Sequence, residues 1–131
     1  MINFVDRIVK KKGYRRRIVA YSHYFKDFKK TLSRDVLCKV YQVFLLIMTE
    51  EVISVRFFKS ITGVKGLYEI RIEEGGNIYR IFCCLDEGYL VILLSAFQKK
   101  TQKTPGKEIE RAVRIMNEYY SRKDKIHEND R

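Results

Sequence analysis

The 131-residue sequence predicts an α+β fold: a small twisted, mostly antiparallel sheet with an N-terminal αα-hairpin on one face and a C-terminal helix. Three observations predict it. Residues 67–100 alternate apolar and polar side chains around two tight turns, the pattern of a three-stranded meander. Residues 22–48 carry apolar side chains at helical spacing in two adjoining runs. After the only proline, Pro105, a helical stripe resumes.

In chain order, residues 1–14 form a basic extension, 15–120 the folded domain and 121–131 a polar tail expected to fray. Residues 16–21 (RRIVAY) read as a first strand. Ser22 then reads as the N-cap of a helix whose apolar positions are Tyr24, Phe25, Phe28 and Leu32. His23, at its start, reads as a surface or capping histidine. Ser33 caps a second helix of roughly 16 residues. Val36, Val40, Val43, Phe44, Ile47 and Met48 line its buried face, and Leu37, Tyr41 and Leu45 widen it. Thr62-Gly63 and Lys65-Gly66 are turns leading into the sheet.

Gly75-Gly76 closes the first hairpin, and a two-residue loop there places Arg71 directly opposite Arg80. The second turn lies at residues 86–88. A two-residue loop at Glu87-Gly88 puts Arg80 opposite Ser95, with Lys99 on its face. A three-residue loop, 86–88, puts it opposite Leu94, with Lys100 on its face. Residues 91–94 are apolar on both faces, so the third strand of the meander is central. Thr104 and Pro105 read as N-cap and N1 of the last helix, with Ile109, Ala112, Val113 and Met116 as its stripe.

Composition narrows the partners. There are 27 basic and 16 acidic residues, a net charge of +11, which favours a polyanion. The longest apolar stretches fall short of the ~20 residues that span a bilayer, so no membrane association is expected. Asp6, Arg7 and Lys10 break up any signal-peptide core. Three cysteines, two of them adjacent at 83 and 84, suit a reducing cytoplasm rather than a disulfide framework. With no CxxC and only His23 and His127 as imidazoles, neither a metal site nor a cofactor is expected.

The candidate site grows from the arginine pair. Like charges on cross-strand neighbours, with Cβ atoms roughly 5 Å apart, are destabilising. An anion between the guanidiniums relieves this, and phosphate matches arginine geometry. Alternatively, both arginines splay to solvent or pair with Glu69 or Glu73. Cations aimed at a phosphate suit RNA cleavage, in which the ribose 2′-hydroxyl attacks the adjacent phosphorus. Arginine stays protonated, so the base would be Glu69, a lysine with a lowered pKa, or Tyr68.

Three blocks, GLYEIR (66–71), GNIYRIF (76–82) and FQKKTQKTP (97–105), with Lys59 and Gly63 before them and Glu108, Ile109 and Ala112 after, resemble the HigB-like, phage-derived branch of the RelE/ParE toxin superfamily. The likeness covers about residues 15–120. It implies the toxin of a type II toxin–antitoxin pair: a cytoplasmic, RNA-binding mRNA endoribonuclease, a hydrolase that acts without metal on translating ribosomes. The implied partners are mRNA, the ribosome and a cognate helix-turn-helix antitoxin. Carried over residue by residue, the resemblance implies catalytic roles at Arg71, Arg80, Lys99 and Lys100, to which the reading of the residues themselves adds Glu69. It implies phosphate contacts at Lys59, Lys65, Tyr68, Tyr79 and Lys103. Two features depart from the pattern: Glu69 stands where RelE-type toxins often carry lysine, and the C-terminal histidine of HigB relatives is missing. The same superfamily contains ParE-like gyrase inhibitors, and an inactive antitoxin- or nucleic-acid-binding module is a third reading.

Overall fold

The computed structural model describes residues 14–100 and 105–129. Five strands and three helices follow in the order β1 (Arg17–Ala20), α1 (Tyr24–Lys29), α2 (Arg34–Thr49), β2 (Phe58–Ser60), β3 (Leu67–Glu74), β4 (Asn77–Asp86), β5 (Leu90–Lys99) and α3 (Gly106–Asn129). The sheet order is β1-β5-β4-β3-β2, with β1 parallel to β5 and every other pair antiparallel. The α+β class and the mixed, mostly antiparallel sheet are those the sequence predicts.

Each element has a local cause. The Ser33 hydroxyl accepts from the Val36 N–H at 3.3 Å and starts α2. All six residues expected on the buried face of α2 are buried. Ser22 does not cap α1. It sits in the left-handed region (φ 58°), and His23 is the N-cap, without a side-chain capping bond. The His23 ring instead meets the Asp27 carboxylate at 2.8 Å on the surface. At the start of α3 the Pro105 carbonyl accepts from the Glu108 and Ile109 N–H groups. Thr104 and residues 1–13 of the basic extension lie outside the described residues. Tyr14 packs against the core. The polar segment after residue 120 continues α3 to Asn129.

The sheet has a core on each face. On one, α1 and α2 pack against Ile70, Ile72, Tyr79, Ile81, Cys83, Val91, Leu93 and Ala96. On the other, Ala112, Ile115 and Met116 of α3 pack against Leu67, Phe82, Cys84, Ile92 and Leu94. Central strand β5 is therefore buried on both sides, as its apolar run requires. Helix α3 lies mainly over β4 and β5, and among the described residues the β2–β3 side of the same face carries an open cleft. That gap is where the cationic residues gather.

Candidate functional site

The first hairpin fixes the site. Gly75 and Gly76 take φ of 60° and 79°, the paired left-handed conformation a two-residue hairpin loop needs. Arg71 pairs with Arg80 across β3 and β4, in the register the sequence predicts. Both lie on the α3 side of the sheet, with Glu69 beside Arg71 along β3.

The second hairpin has a loop of Glu87, Gly88 and Tyr89, because Asp86 pairs with Leu90. A bulge then intervenes: from Cys83↔Leu93 to Ile81↔Ala96, β4 advances two residues and β5 three. Arg80 consequently faces Phe97, not Ser95 or Leu94. Without the bulge it would face Ala96, and the side chains sharing its surface would run toward Lys100. With it, Lys99 shares the face of Arg80, while Lys100 is exposed just past the strand.

An open cleft of about 150 Å³ is lined by Val55, Arg56, Phe58, Lys59, Glu69, Arg71 and Arg80. Four of these side chains are cationic and one is anionic. Glu69, 2% exposed, forms the floor. Its Oε1 accepts from Arg80 Nη1 and lies 3.5 Å from Lys59 Nζ. Arg71 donates to Glu73 at 2.9 Å. The like-charge pair is thus relieved internally, each arginine leaning on a carboxylate of β3. The relief is incomplete. Buried Glu69 Oε2 and Arg80 Nε have no hydrogen-bond partner among the described residues. Lys99 joins the group electrostatically: burial first, then the charge of Arg80, pushes its ammonium below the ordinary lysine value.

The expected site residues therefore divide. Glu69, Arg71, Arg80, Lys59 and Lys99 come together. Lys65 is exposed on the turn before β3, away from the cleft lining. Tyr68 and Tyr79 point to the opposite face. Tyr68 stacks on Phe58 with centroids 5.2 Å apart, and Tyr79 is buried with its ring edge toward Phe28. Strand alternation carried that signal, since each tyrosine is adjacent in sequence to a cleft residue or one removed from it by an odd step. Lys103 lies outside the described residues. Arg56 and Val55, which sequence reasoning did not assign, line the cleft. Their only signal was an arginine between aromatic and β-branched residues in a segment without periodicity.

A second polar cluster lies at the other end of the same face. Asp86, 6% exposed, accepts from Tyr119 Oη through Oδ2 and from Lys123 Nζ through Oδ1. Burial pushes the Asp86 carboxyl up, but these two hydrogen bonds outweigh it and hold the group below its ordinary value. Tyr120 donates to the Leu85 carbonyl at 3.0 Å. All three cysteines are free; Cys38 is exposed, while burial pushes the Cys84 thiol up to about 11 and Cys83 higher than usual, which makes Cys83 and Cys84 inert core residues. Among the described residues, no group of three or more His, Cys, Asp or Glu side chains could hold a metal ion, and no helix is long and apolar enough to cross a membrane.

Fold and site together define a small basic α+β domain with a cationic cleft at the uncovered end of its sheet. The chain belongs to the phage-derived Gp49-like protein family, whose profile matches residues 23–117. No curated protein matches it in sequence. Among solved structures, it is similar to a chain of the archaeal RelE–RelB complex from Pyrococcus horikoshii OT3, with 15% identity, 66% of this chain and 97% of that chain covered, and a TM-score of 0.49.

Proposed function

We propose that this protein is the toxin of a type II toxin–antitoxin pair, of the HigB-like kind, and that it cleaves mRNA on translating ribosomes. The observation that carries the reading is the convergence of Lys59, Arg71 and Arg80 on one open cleft, with Lys99 on the same sheet face and within reach of their charges. Four cations around a single buried carboxylate are an unfavourable arrangement for stability alone, and a phosphodiester supplies the missing negative charge.

The chemistry follows from the side chains. Arg71 and Arg80 hold the non-bridging oxygens of the scissile phosphate and stabilise the charge that grows on them as the 2′-oxygen attacks. Glu69 is tied to Arg80 and sealed from solvent, so it orients that guanidinium rather than taking the proton. Tyr68 faces away from the cleft. Lys99 is the remaining base. Its lowered pKa raises the fraction of free amine that can accept the 2′-hydroxyl proton. The P–O5′ bond breaks as the 2′-oxygen bonds to phosphorus, leaving a 2′,3′-cyclic phosphate and a 5′-hydroxyl. In this reading the exposed Lys59 ammonium, beside Glu69 at the cleft, returns a proton to the leaving oxygen.

The partner in this reading is a cognate helix-turn-helix antitoxin that covers the Arg71/Arg80 face with acidic residues. Both RNA and antitoxin contacts then weaken as salt rises. The deciding experiment is inducible expression in a bacterial host with primer-extension mapping of an abundant mRNA, for the native chain and Arg71→Ala/Arg80→Ala. Discrete cuts within translated regions that vanish in the double variant are expected. Growth arrest with intact mRNA and DNA damage would replace this reading with gyrase inhibition, and no arrest at all with an inactive binding module.

A further inference from the structure

The loop between α2 and β2 forms one rim of the cleft and has an unusual character. Val52 and Val55 are 83% and 77% exposed, the two most exposed large apolar side chains among the described residues. Arg56 places its guanidinium over the Phe57 ring, 5.5 Å from the centroid. Isolated exposed valines need no explanation. Here Val55 and Arg56 also line the cationic cleft, so an apolar surface and a flat cation adjoin a phosphate-sized space.

The loop is held at both ends. Arg16 Nη1 donates to the carbonyls of Ile47 at 2.9 Å and Glu50 at 2.6 Å, and Nη2 donates to that of Glu51 at 2.8 Å, which fixes the exit from α2. Ser54 organises the middle: its Oγ accepts from the Arg56 N–H, and its carbonyl accepts from Phe57 and Phe58. The Phe57 carbonyl accepts from the Arg71 N–H at 2.9 Å and ties the rim to the strand that carries the arginine pair. These bonds pre-set the positions of Val55 and Arg56 relative to Arg71.

Size decides what the rim meets. A cleft of about 150 Å³ holds roughly five waters at ~30 Å³ each, enough for a phosphate group but not for a nucleobase as well. A base attached to a phosphate in the cleft must lie outside it, against the rim. Single-stranded nucleic acids are gripped by this combination, a cationic track for phosphates and planar or apolar side chains for unstacked bases. An arginine held over an aromatic ring adds a planar cation to the apolar surface of the rim.

We propose that Val55 and the Arg56–Phe57 pair form a nucleobase subsite for single-stranded RNA, adjoining the phosphate cleft and resting on the phosphate-binding reading of that cleft. The subsite takes the base of the nucleotide next to the bound phosphate, and it makes the protein bind unpaired strands in preference to duplex.

The test is fluorescence-anisotropy titration at fixed salt with two labelled probes of equal charge. One is a deoxypentanucleotide, which lacks the 2′-hydroxyl and so is not cut; the other is the same backbone with every base removed. The native chain should bind the base-bearing strand about 5- to 100-fold more tightly. In Val55→Ser/Phe57→Leu, which removes the apolar contact and the ring beneath Arg56 but leaves every cation of the cleft in place, that preference should vanish while abasic affinity stays within about twofold. Equal affinity of the native chain for both probes overturns the subsite, as does a preference that survives the double variant. Failure of the cleft reading looks different: Arg71→Ala then leaves the affinity for both probes unchanged, and the subsite falls with it.

Discussion

The two ends of one sheet face each bury a carboxylate, and they treat it in opposite ways. At the covered end, Asp86 has one donor on each oxygen, a tyrosine hydroxyl and a lysine, both from α3. Its hydrogen-bonding capacity is used and the charges balance. At the open end, Glu69 directs one oxygen at both Arg80 and Lys59 and leaves the other without a partner, while Arg71 and Lys99 add positive charge nearby. The first arrangement is what a structural latch requires. The second is stable only because Glu69 is there, and it retains an excess of cations that face solvent. The contrast teaches where to look for function: at the buried polar group whose neighbours are not satisfied by one another.

Breaking each carboxylate should expose the difference. Glu69→Ala leaves Arg80 buried and uncompensated opposite Arg71, and should cost about 3–5 kcal/mol in urea unfolding. A loss below 1 kcal/mol would mean that Arg80 escapes to solvent and that the floor of the cleft is not held by this pair. Arg71→Ala should leave unfolding within about 0.5 kcal/mol of native, since its partner Glu73 is exposed. The same change should lower RNA cleavage by roughly 10²–10³-fold if Arg71 stabilises the phosphorane. Comparable losses in both measurements would erase the distinction between latch and site.

Asp86→Ala should cost about 1.5–3 kcal/mol, less than Glu69→Ala, because Lys123 sits partly in solvent and can rehydrate. Its pH signature is separate. The folded pKa of Asp86 lies below the ordinary 3.8, so its contribution is present above that value and fades as pH falls through the folded pKa. Asp86→Asn should flatten the stability profile below pH 3.8, and an unchanged acid limb in calorimetry would contradict the latch. The smallest effect is expected at Lys99. Its folded pKa lies below 10.5, so the charged form is disfavoured in the fold, and stability should rise slightly as pH climbs from the lowered value toward 10.5. A cleavage rate that rises with pH up to the lowered Lys99 value and levels off above it, and loses that slope in Lys99→Arg, would separate base from bystander.

Much of this was legible in the chain. The Gly75-Gly76 turn fixes its own register, so Arg71 opposite Arg80 follows from counting. The six buried positions of α2 follow from helical spacing alone. Alternation along the strands would also have removed Tyr68 and Tyr79 from the cleft, although the family motif drew attention to them. The three-residue edge strand β2 was not legible: it has no period of its own and exists because Lys59 and its neighbours pair with β3. Without that pairing, Arg56 and Val55 have no rim to occupy.

By itself, then, the sequence determined what depends on short range: the hairpin, the helical faces, the central strand and the positive charge. Only the tertiary structure decided which lysine joins the arginines, because a single bulged residue between β4 and β5 reverses every side chain beyond it. It also decided that the face stays open there, since where α3 lies depends on packing against β4 and β5 rather than on any local preference of its own residues. A side chain's face is set by counting along a strand, but what covers that face is set by the rest of the molecule.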